Sequence, residues 1–100
     1  MPNSNDQKKK RSTRRTRVSV QELLALLSRQ NHRCALTGRP LTPDNASLDH
    51  VSPRHAGGEH VIENCQIVIR EANAAKGKML QEEFLRLCRD VVRTHGMGNE

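Results

Sequence analysis

Apolar residues recur with a helical period near both ends of the chain and form a strand-like run in the middle. In residues 20–31 they are spaced as on one face of a helix, and they are Val20, Leu23, Leu24 and Leu27. Ser19 and Glu22 stand at the spacing of a capping box. This pattern predicts a helix over about 20–31.

Two short strands and two further helices are predicted later in the chain. "SLDHV" (47–51) and the β-branched "CQIVI" (65–69) are bounded by turn formers, which indicates a hairpin with a long loop. "REANAAKGK" contains helix formers up to Gly77, a common helix end. The last helix has an apolar face that we expect to be structural, formed by Leu80, Phe84, Leu87, Cys88 and Val91.

The chain is basic, but its excess charge lies in the first 17 residues. Of 17 Lys and Arg and 11 Asp and Glu, this stretch holds seven bases and one acid, giving +6, and the remainder holds ten of each. Without apolar periodicity, it is expected to be a disordered tail attracted to nucleic-acid phosphates. A solubilising or localisation role is the alternative. Its basic residues are Lys8, Lys9, Lys10, Arg11, Arg14, Arg15 and Arg17.

Length and composition limit the class of protein. One hundred residues allow one small domain, which we place at residues 18–96, with 97–100 as a C-terminal tail. Phe84 is the only aromatic residue, so stacking on exposed bases is not expected. The longest purely apolar run, residues 23–27, is far shorter than a membrane span, and no apolar segment of a secretory signal follows the basic start.

The cysteines indicate a reducing compartment. Cys34, Cys65 and Cys88 are odd in number and have no paired spacing. We therefore expect reduced thiols in a cytoplasmic protein, with each cysteine packed in the core.

The middle of the chain carries residue types suited to phosphodiester hydrolysis, which needs a base for the attacking water and a held cation. His50 suits the base, because imidazole is largely neutral near pH 7. The adjacent Asp49 offers a hard oxygen ligand, and Asn73 can add a second, neutral oxygen. Two such oxygens, completed by waters and phosphate oxygens, favour one divalent cation, Mg²⁺ or Mn²⁺.

Residues 48–78, "LDHVSPRHAGGEHVIENCQIVIREANAAKGK", resemble the core of the HNH endonucleases, the ββα-metal nucleases. The matching features are the Asp-His pair, a Pro and Gly-Gly loop, Glu-Asn, and Asn-x-x-Lys-Gly. His50 and Asn64 are separated by 13 residues, and Asn64 and Asn73 by 8. "CALTGRPL" (34–41) looks like the knuckle that precedes this core. The resemblance implies an α+β fold with a small ββα-metal core and flanking N- and C-terminal helices.

The resemblance also implies a role for each matching residue. Asp49 corresponds to the metal-binding acid and His50 to the general base. Asn64 corresponds to an asparagine that braces the loop and helps to orient the base. Asn73 corresponds to the last metal ligand, so the chain would be an H-N-N form. Lys76 corresponds to a basic position that would contact a phosphate; the alternative is a charge that stabilises a helix C-terminus.

Basic residues near these positions extend the expected nucleic-acid contact. Arg54 and His55 follow the Asp-His pair closely and are interpreted as substrate-facing or solvated. Lys78 follows the Asn-x-x-Lys-Gly motif and is a further candidate for DNA contact.

One departure from the family pattern concerns zinc. Many family members carry four cysteines around this core, and here those positions are Cys34, Thr37, Ile69 and Ala72. Because a structural zinc ion needs about four ligands, such a site is not expected here. We expect Ile69 and Ala72 to fill the space with apolar core, and Cys34 to be buried beside them.

The sequence thus predicts a divalent-metal-dependent endonuclease that hydrolyses double-stranded DNA. With one site per chain, a monomer or weak dimer should nick, and the family implies 5′-phosphate and 3′-hydroxyl ends. No membrane or small-molecule cofactor is expected. The alternatives are a catalytically silent DNA-binding module with the same fold, a nuclease that acts on RNA and a structural zinc protein.

Overall fold

The computed structural model describes residues 17–96. In chain order its elements are helix α1 (Val20–Arg29), strand β1 (Ala46–His50), strand β2 (Cys65–Ile69), helix α2 (Arg70–Lys76) and helix α3 (Gln81–Thr94). The strands pair antiparallel, and the loop between them contains two short 3₁₀ turns, Arg54–Ala56 and Ile62–Asn64. The predicted α+β class, a hairpin followed by a short helix and flanked by two others, is confirmed. The expected tail, residues 1–17, lies outside the described residues except for Arg17, as does 97–100.

Helix α1 begins at the predicted capping box. The backbone N–H of Ser19 donates to Glu22 Oε1 at 2.9 Å, and that of Glu22 donates to Ser19 Oγ at 3.0 Å. The helix ends at Arg29, earlier than predicted, because the chain turns at Asn31 and His32, whose φ angles are 56° and 57°. These left-handed angles do not continue a right-handed helix.

The predicted apolar face of α1 is wrong in part. Val20 and Leu24 are 70% and 59% exposed, whereas Leu26 is buried. Helix α1 packs against a sheet of only two strands, which covers a narrow stripe of its surface. The face that meets the sheet is therefore centred near Leu26 and Leu27 rather than on the outer leucines.

Strand β2 is buried at all five positions because helices cover both of its faces. The cluster on the α1 side contains Leu26, Cys65 and Ile67. The cluster on the α2 side contains Cys34, Val68, Ile69 and Ala72. The side chain of Gln30 satisfies the outer edge of β2 at Ile67. Its Nε2 donates to the carbonyl oxygen of Ile67 at 2.9 Å, and its Oε1 accepts from the backbone N–H of Ile67 at 3.0 Å. Strand β2 is thus held by β1 on one edge, by Gln30 on the other and by apolar clusters on its faces, and the candidate site lies beside it.

The segment before β1 packs as the sequence predicts. Cys34 is buried with Ile69 and Ala72 in one apolar cluster. Its sulfur accepts hydrogen bonds from the backbone N–H groups of Thr37 at 3.4 Å and Ile69 at 3.3 Å. Burial opposes ionisation of this thiol, but the hydrogen bonds outweigh burial and hold the pKa of Cys34 below its ordinary value.

The expected packing of α3 is contradicted. Phe84 is buried, but Leu87 and Val91 are 48% and 52% exposed, and Cys88 is an exposed free thiol. Within residues 17–96 the two-stranded sheet is too small to cover this helix along its length. Cys88 is therefore a solvent-facing cysteine. None of the helices in the described range is long and apolar enough to cross a membrane.

Candidate functional site

A cleft of about 400 Å³ opens where β1 passes into the loop. Its walls come from the end of β1, the residues that follow it and the outer side of α2. The cleft gathers six of the residues selected from the sequence, namely Asp49, His50, Arg54, His55, Asn73 and Lys78. Asn64 and Lys76 do not line the cleft, but they bond to the backbone at and after the end of β1, which forms one of its walls.

Asp49 is held by two donors at the base of the cleft. Its side chain is buried at 6% exposure, and its Oδ2 accepts from Gln66 Nε2 at 2.8 Å and from Lys76 Nζ at 2.8 Å. Gln66 lies opposite Asp49 in the strand register and also bonds to Gln81 at the start of α3. Among the residues described, both hydrogen bonds reach the same carboxylate oxygen. Oδ1 accepts no hydrogen bond from these residues, and Asp49 lines the cleft.

Lys76 is a buried structural cation, and its predicted phosphate contact is revised. Its ammonium group donates to Asp49 Oδ2, to the carbonyl oxygen of His50 at 2.8 Å and to that of Val51 at 3.3 Å. The residue is 1% exposed. An ammonium group has three N–H donors, and here all three have partners inside the protein. Lys76 therefore binds the end of β1 from the last turn of α2 instead of facing solvent.

Asn73 lies on α2 and reaches across to β1. Its Nδ2 donates to Ser47 Oγ at 2.6 Å, which orients the amide. The carbonyl oxygen of that amide is not used in this contact. Asp49 and Asn73 both line the cleft, and each has a side-chain oxygen that accepts no hydrogen bond from the described residues. This pair of hard oxygen donors fits Mg²⁺ or Mn²⁺ with water as the remaining ligands. The positive charge of Lys76 partly neutralises the Asp49 carboxylate and so weakens its attraction for a cation.

His50 contacts a second histidine, His60, which the sequence indicated only as a loop residue. His50 Nε2 lies 2.9 Å from His60 Nδ1, so one imidazole ring donates a hydrogen bond to the other. Burial lowers the pKa of His50, and neighbouring His60 and the cations Arg54 and Lys76 lower it further against the opposing effect of Asp49. His50 is therefore neutral near pH 7 and able to accept a proton.

Asn64 joins the two ends of the loop between the strands. Its Oδ1 accepts from the backbone N–H of Ser52 at 2.9 Å. Its Nδ2 donates to the carbonyl oxygens of Ser52 at 3.0 Å and Glu59 at 2.9 Å. These bonds hold the backbone that directly follows the Asp49–His50 pair.

The glycine pair makes this closure possible. A Cβ atom on Gly58 would lie 1.8 Å from the carbonyl oxygen of Ser52 and 2.9 Å from Asn64 Nδ2, so only glycine fits. Gly57 has φ +95°, a left-handed angle that glycine adopts without steric cost.

The remaining predicted contact residues fall into two groups. Arg54 and Lys78 are exposed and line the cleft, where they add positive charge at its mouth. Arg17 is exposed at the start of the described range. The other basic tail residues, Lys8, Lys9, Lys10, Arg11, Arg14 and Arg15, lie outside that range.

Comparison with known proteins supports a nuclease fold. No family model matches the chain. Fifty-two residues, 51% of the chain, are 38% identical to the CRISPR-associated endonuclease Cas9 of Corynebacterium diphtheriae, of which they cover 5%. A crystal structure of a type II restriction endonuclease superposes on 68% of the chain with a TM-score of 0.54 and 27% sequence identity, over 33% of the restriction enzyme chain. The chain thus resembles a part of each of two larger endonucleases.

Proposed function

We propose that the chain is a metal-dependent endonuclease of the HNH class, in the H-N-N form, that hydrolyses phosphodiester bonds in DNA. The observation that carries this proposal is the common cleft of Asp49, His50 and Asn73. A neutral imidazole and two hard oxygen donors are the groups that metal-assisted hydrolysis requires. The similarity to segments of two endonucleases supports the same class.

His50 acts as the general base in this proposal. Its lowered pKa keeps the imidazole neutral, so that it can take a proton from an attacking water. His60 fixes the orientation of the ring through the 2.9 Å nitrogen contact. Asn64 is a positioning residue, since it holds the backbone after His50 and does not line the cleft.

Asp49 and Asn73 would hold the cation through their free oxygens. When bound, a divalent ion supplies positive charge that stabilises the phosphoryl group in the transition state. Lys76 and Gln66 keep the Asp49 carboxylate in place, and Ser47 does the same for the Asn73 amide. These two side-chain oxygens would leave further positions on the ion, which phosphate oxygens of the substrate and water would fill.

DNA is the proposed substrate, contacted through Arg54 and Lys78 at the cleft and through the basic tail. One proposed catalytic site per chain implies a nick in one strand of a duplex, with 5′-phosphate and 3′-hydroxyl products. The experiment is cleavage of supercoiled plasmid in the presence of Mg²⁺, Mn²⁺ or EDTA, with end-labelled RNA digested in parallel. Open-circular product that needs the metal and is lost in His50→Ala supports the proposal.

The matched control is His95→Ala, an exposed histidine at the end of α3 that does not line the cleft. Its activity should stay close to that of the unaltered protein. Binding of DNA without any cleavage would instead indicate a silent binding module, and cleavage of RNA alone would indicate an RNA nuclease.

A further inference from the structure

A second set of metal-binding groups lies behind the proposed catalytic cleft. One ring nitrogen of His50, one of His60 and Cys65 Sγ all lie within 4.8 Å of one another. His50 Nε2 and His60 Nδ1 are 2.9 Å apart. His50 ends β1, Cys65 begins β2 directly opposite it, and His60 comes from the loop that joins the strands. The fold itself therefore brings these three side chains together.

This set is distinct from the oxygen pair of Asp49 and Asn73. Successive side chains of a strand point to opposite faces of the sheet. His50 and Cys65 form one cross-strand pair, and Asp49 and Gln66 form the neighbouring pair on the other face. Cys65 accordingly packs with the α1 cluster, whereas Asp49 bonds to Lys76 of α2. His50 is the one residue that belongs to both the cleft and the second set.

The donors of the second set match a different kind of ion. Two imidazole nitrogens and one thiolate sulfur suit zinc, whereas Mg²⁺ prefers oxygen. Cys65 is a buried free thiol, so no disulfide occupies the sulfur. Ligand atoms of a tetrahedral zinc ion lie roughly 3.3 to 3.6 Å apart, given bond lengths of about 2.0 to 2.3 Å. The 2.9 Å nitrogen contact would open slightly, and the sulfur would move inward.

We propose that His50, His60 and Cys65 bind a zinc ion, and that this ion inhibits cleavage by occupying the His50 nitrogen. Three protein ligands leave a fourth position for water. Binding releases one proton to solvent as the Cys65 thiol becomes a thiolate, and one histidine changes tautomer so that both facing nitrogens can bind the metal. The proposal has two halves. The inhibitory half, that zinc blocks cleavage, rests on the proposed nuclease function, whereas the binding half, that zinc binds these three residues, does not.

Cobalt(II) titration of the full, reduced chain tests the binding half. Cobalt replaces zinc in such sites and gives a thiolate-to-metal absorption band. We expect one cobalt per chain with this band, displaced by zinc. Cys65→Val should abolish the band, and His60→Gln should weaken binding by at least about tenfold. Cys88→Ser, which removes an exposed thiol, is the control and should keep the band.

Retention of the band in Cys65→Val would overturn the zinc site. Circular dichroism establishes whether each variant is folded, because Cys65 lies in the core. If Cys65→Val does not fold, His60→Gln in the loop decides the question, and cobalt binding of unchanged strength in that variant would reject the site.

Zinc titration of the Mg²⁺-dependent plasmid reaction tests the inhibitory half. The unaltered chain and Cys88→Ser should lose activity at the same zinc concentration, and Cys65→Val should need at least about tenfold more. Equal zinc sensitivity in all three would place the inhibitory ion elsewhere and overturn this half. If the chain does not cleave with Mg²⁺ or Mn²⁺ at all, the proposed function fails, while the cobalt spectrum still decides whether the zinc site exists.

Discussion

The ammonium nitrogen of Lys76 lies 2.8 Å from Asp49 Oδ2, and the two side chains are 0% and 6% exposed. This ion pair connects the last residue of α2 to the end of β1, across 27 positions of sequence. It orients one of the two proposed metal-binding oxygens. It also places a positive charge beside the cation that this oxygen would bind.

Replacement of Lys76 by Met should destabilise the fold by about 3 to 5 kcal/mol, because it leaves the Asp49 carboxylate buried without its charged partner. Urea denaturation followed by circular dichroism measures this change. Lys78→Met, at an exposed position two residues later, should alter stability by no more than about 0.5 kcal/mol. The double variant Asp49→Asn with Lys76→Met should recover part of the loss. Equal stability of the two single variants would contradict a structural role for Lys76.

Removal of the His50 imidazole should slow plasmid cleavage by roughly 10² to 10⁴ while DNA binding persists, as expected for loss of a general base. A base works when it is deprotonated, so activity should fall as the pH drops through the pKa of His50. Burial and the nearby cations lower that pKa. The loss of activity should therefore occur at a pH below the ordinary histidine pKa of about 6.5. Single-turnover rates measured across pH give this profile, and a rate in His50→Ala close to normal would refute the assignment.

Asn73→Ala should raise the Mg²⁺ concentration needed for half-maximal cleavage, because one of the two protein oxygens is lost. Asp49→Ala should abolish metal-dependent cleavage. Asn73→His should retain more activity with Mn²⁺ than Asn73→Ala does, since imidazole also binds such ions. Metal titrations of the cleavage rate compare the variants. Full activity of the unaltered chain in excess EDTA would argue against a metal mechanism.

Gly58→Ala should be much more disruptive than Gly57→Ala. The added methyl group at Gly58 would overlap the carbonyl oxygen of Ser52 at 1.8 Å, whereas the one at Gly57 meets no atom within 4 Å and adds only the strain of φ +95°. Strain of this kind costs of order 1 to 3 kcal/mol. Thermal melting compares the pair, and similar melting temperatures would show that the loop relaxes around Gly58.

Deletion of residues 1–16 should weaken duplex binding uniformly across sequences, because phosphate contacts carry little sequence information. This deletion removes six of the seven basic tail residues. If all six bind phosphates, the slope of log affinity against log salt should flatten by about 5, at about 0.9 per contact. Fluorescence anisotropy at several salt concentrations measures the slope. Unchanged affinity and slope would leave the tail with a solubilising or localisation role.

The sequence was most informative where local chemistry decides the structure. The capping box of Ser19 and Glu22 placed the start of α1 correctly, and the β-branched run from Cys65 to Ile69 matches β2 residue for residue. Both signals depend on short-range geometry that the neighbouring residues determine. The apolar periodicity of α3 was less reliable, because it reports that a face is apolar and not that another element covers it. Cys88 is exposed for that reason.

Residue types were sufficient to select Asp49, His50 and Asn73, because those side chains carry the chemistry that hydrolysis needs. Asn64 was selected from the resemblance to the HNH core. The tertiary structure alone decided which atoms of these side chains remain free. Three contacts join residues that are distant in sequence. The strand register sets Gln66 beside Asp49, and the end of α2 brings Lys76 to the same carboxylate. The loop between the strands brings His60 to His50. Such contacts depend on how strands and helices pack, and no local pattern encodes them.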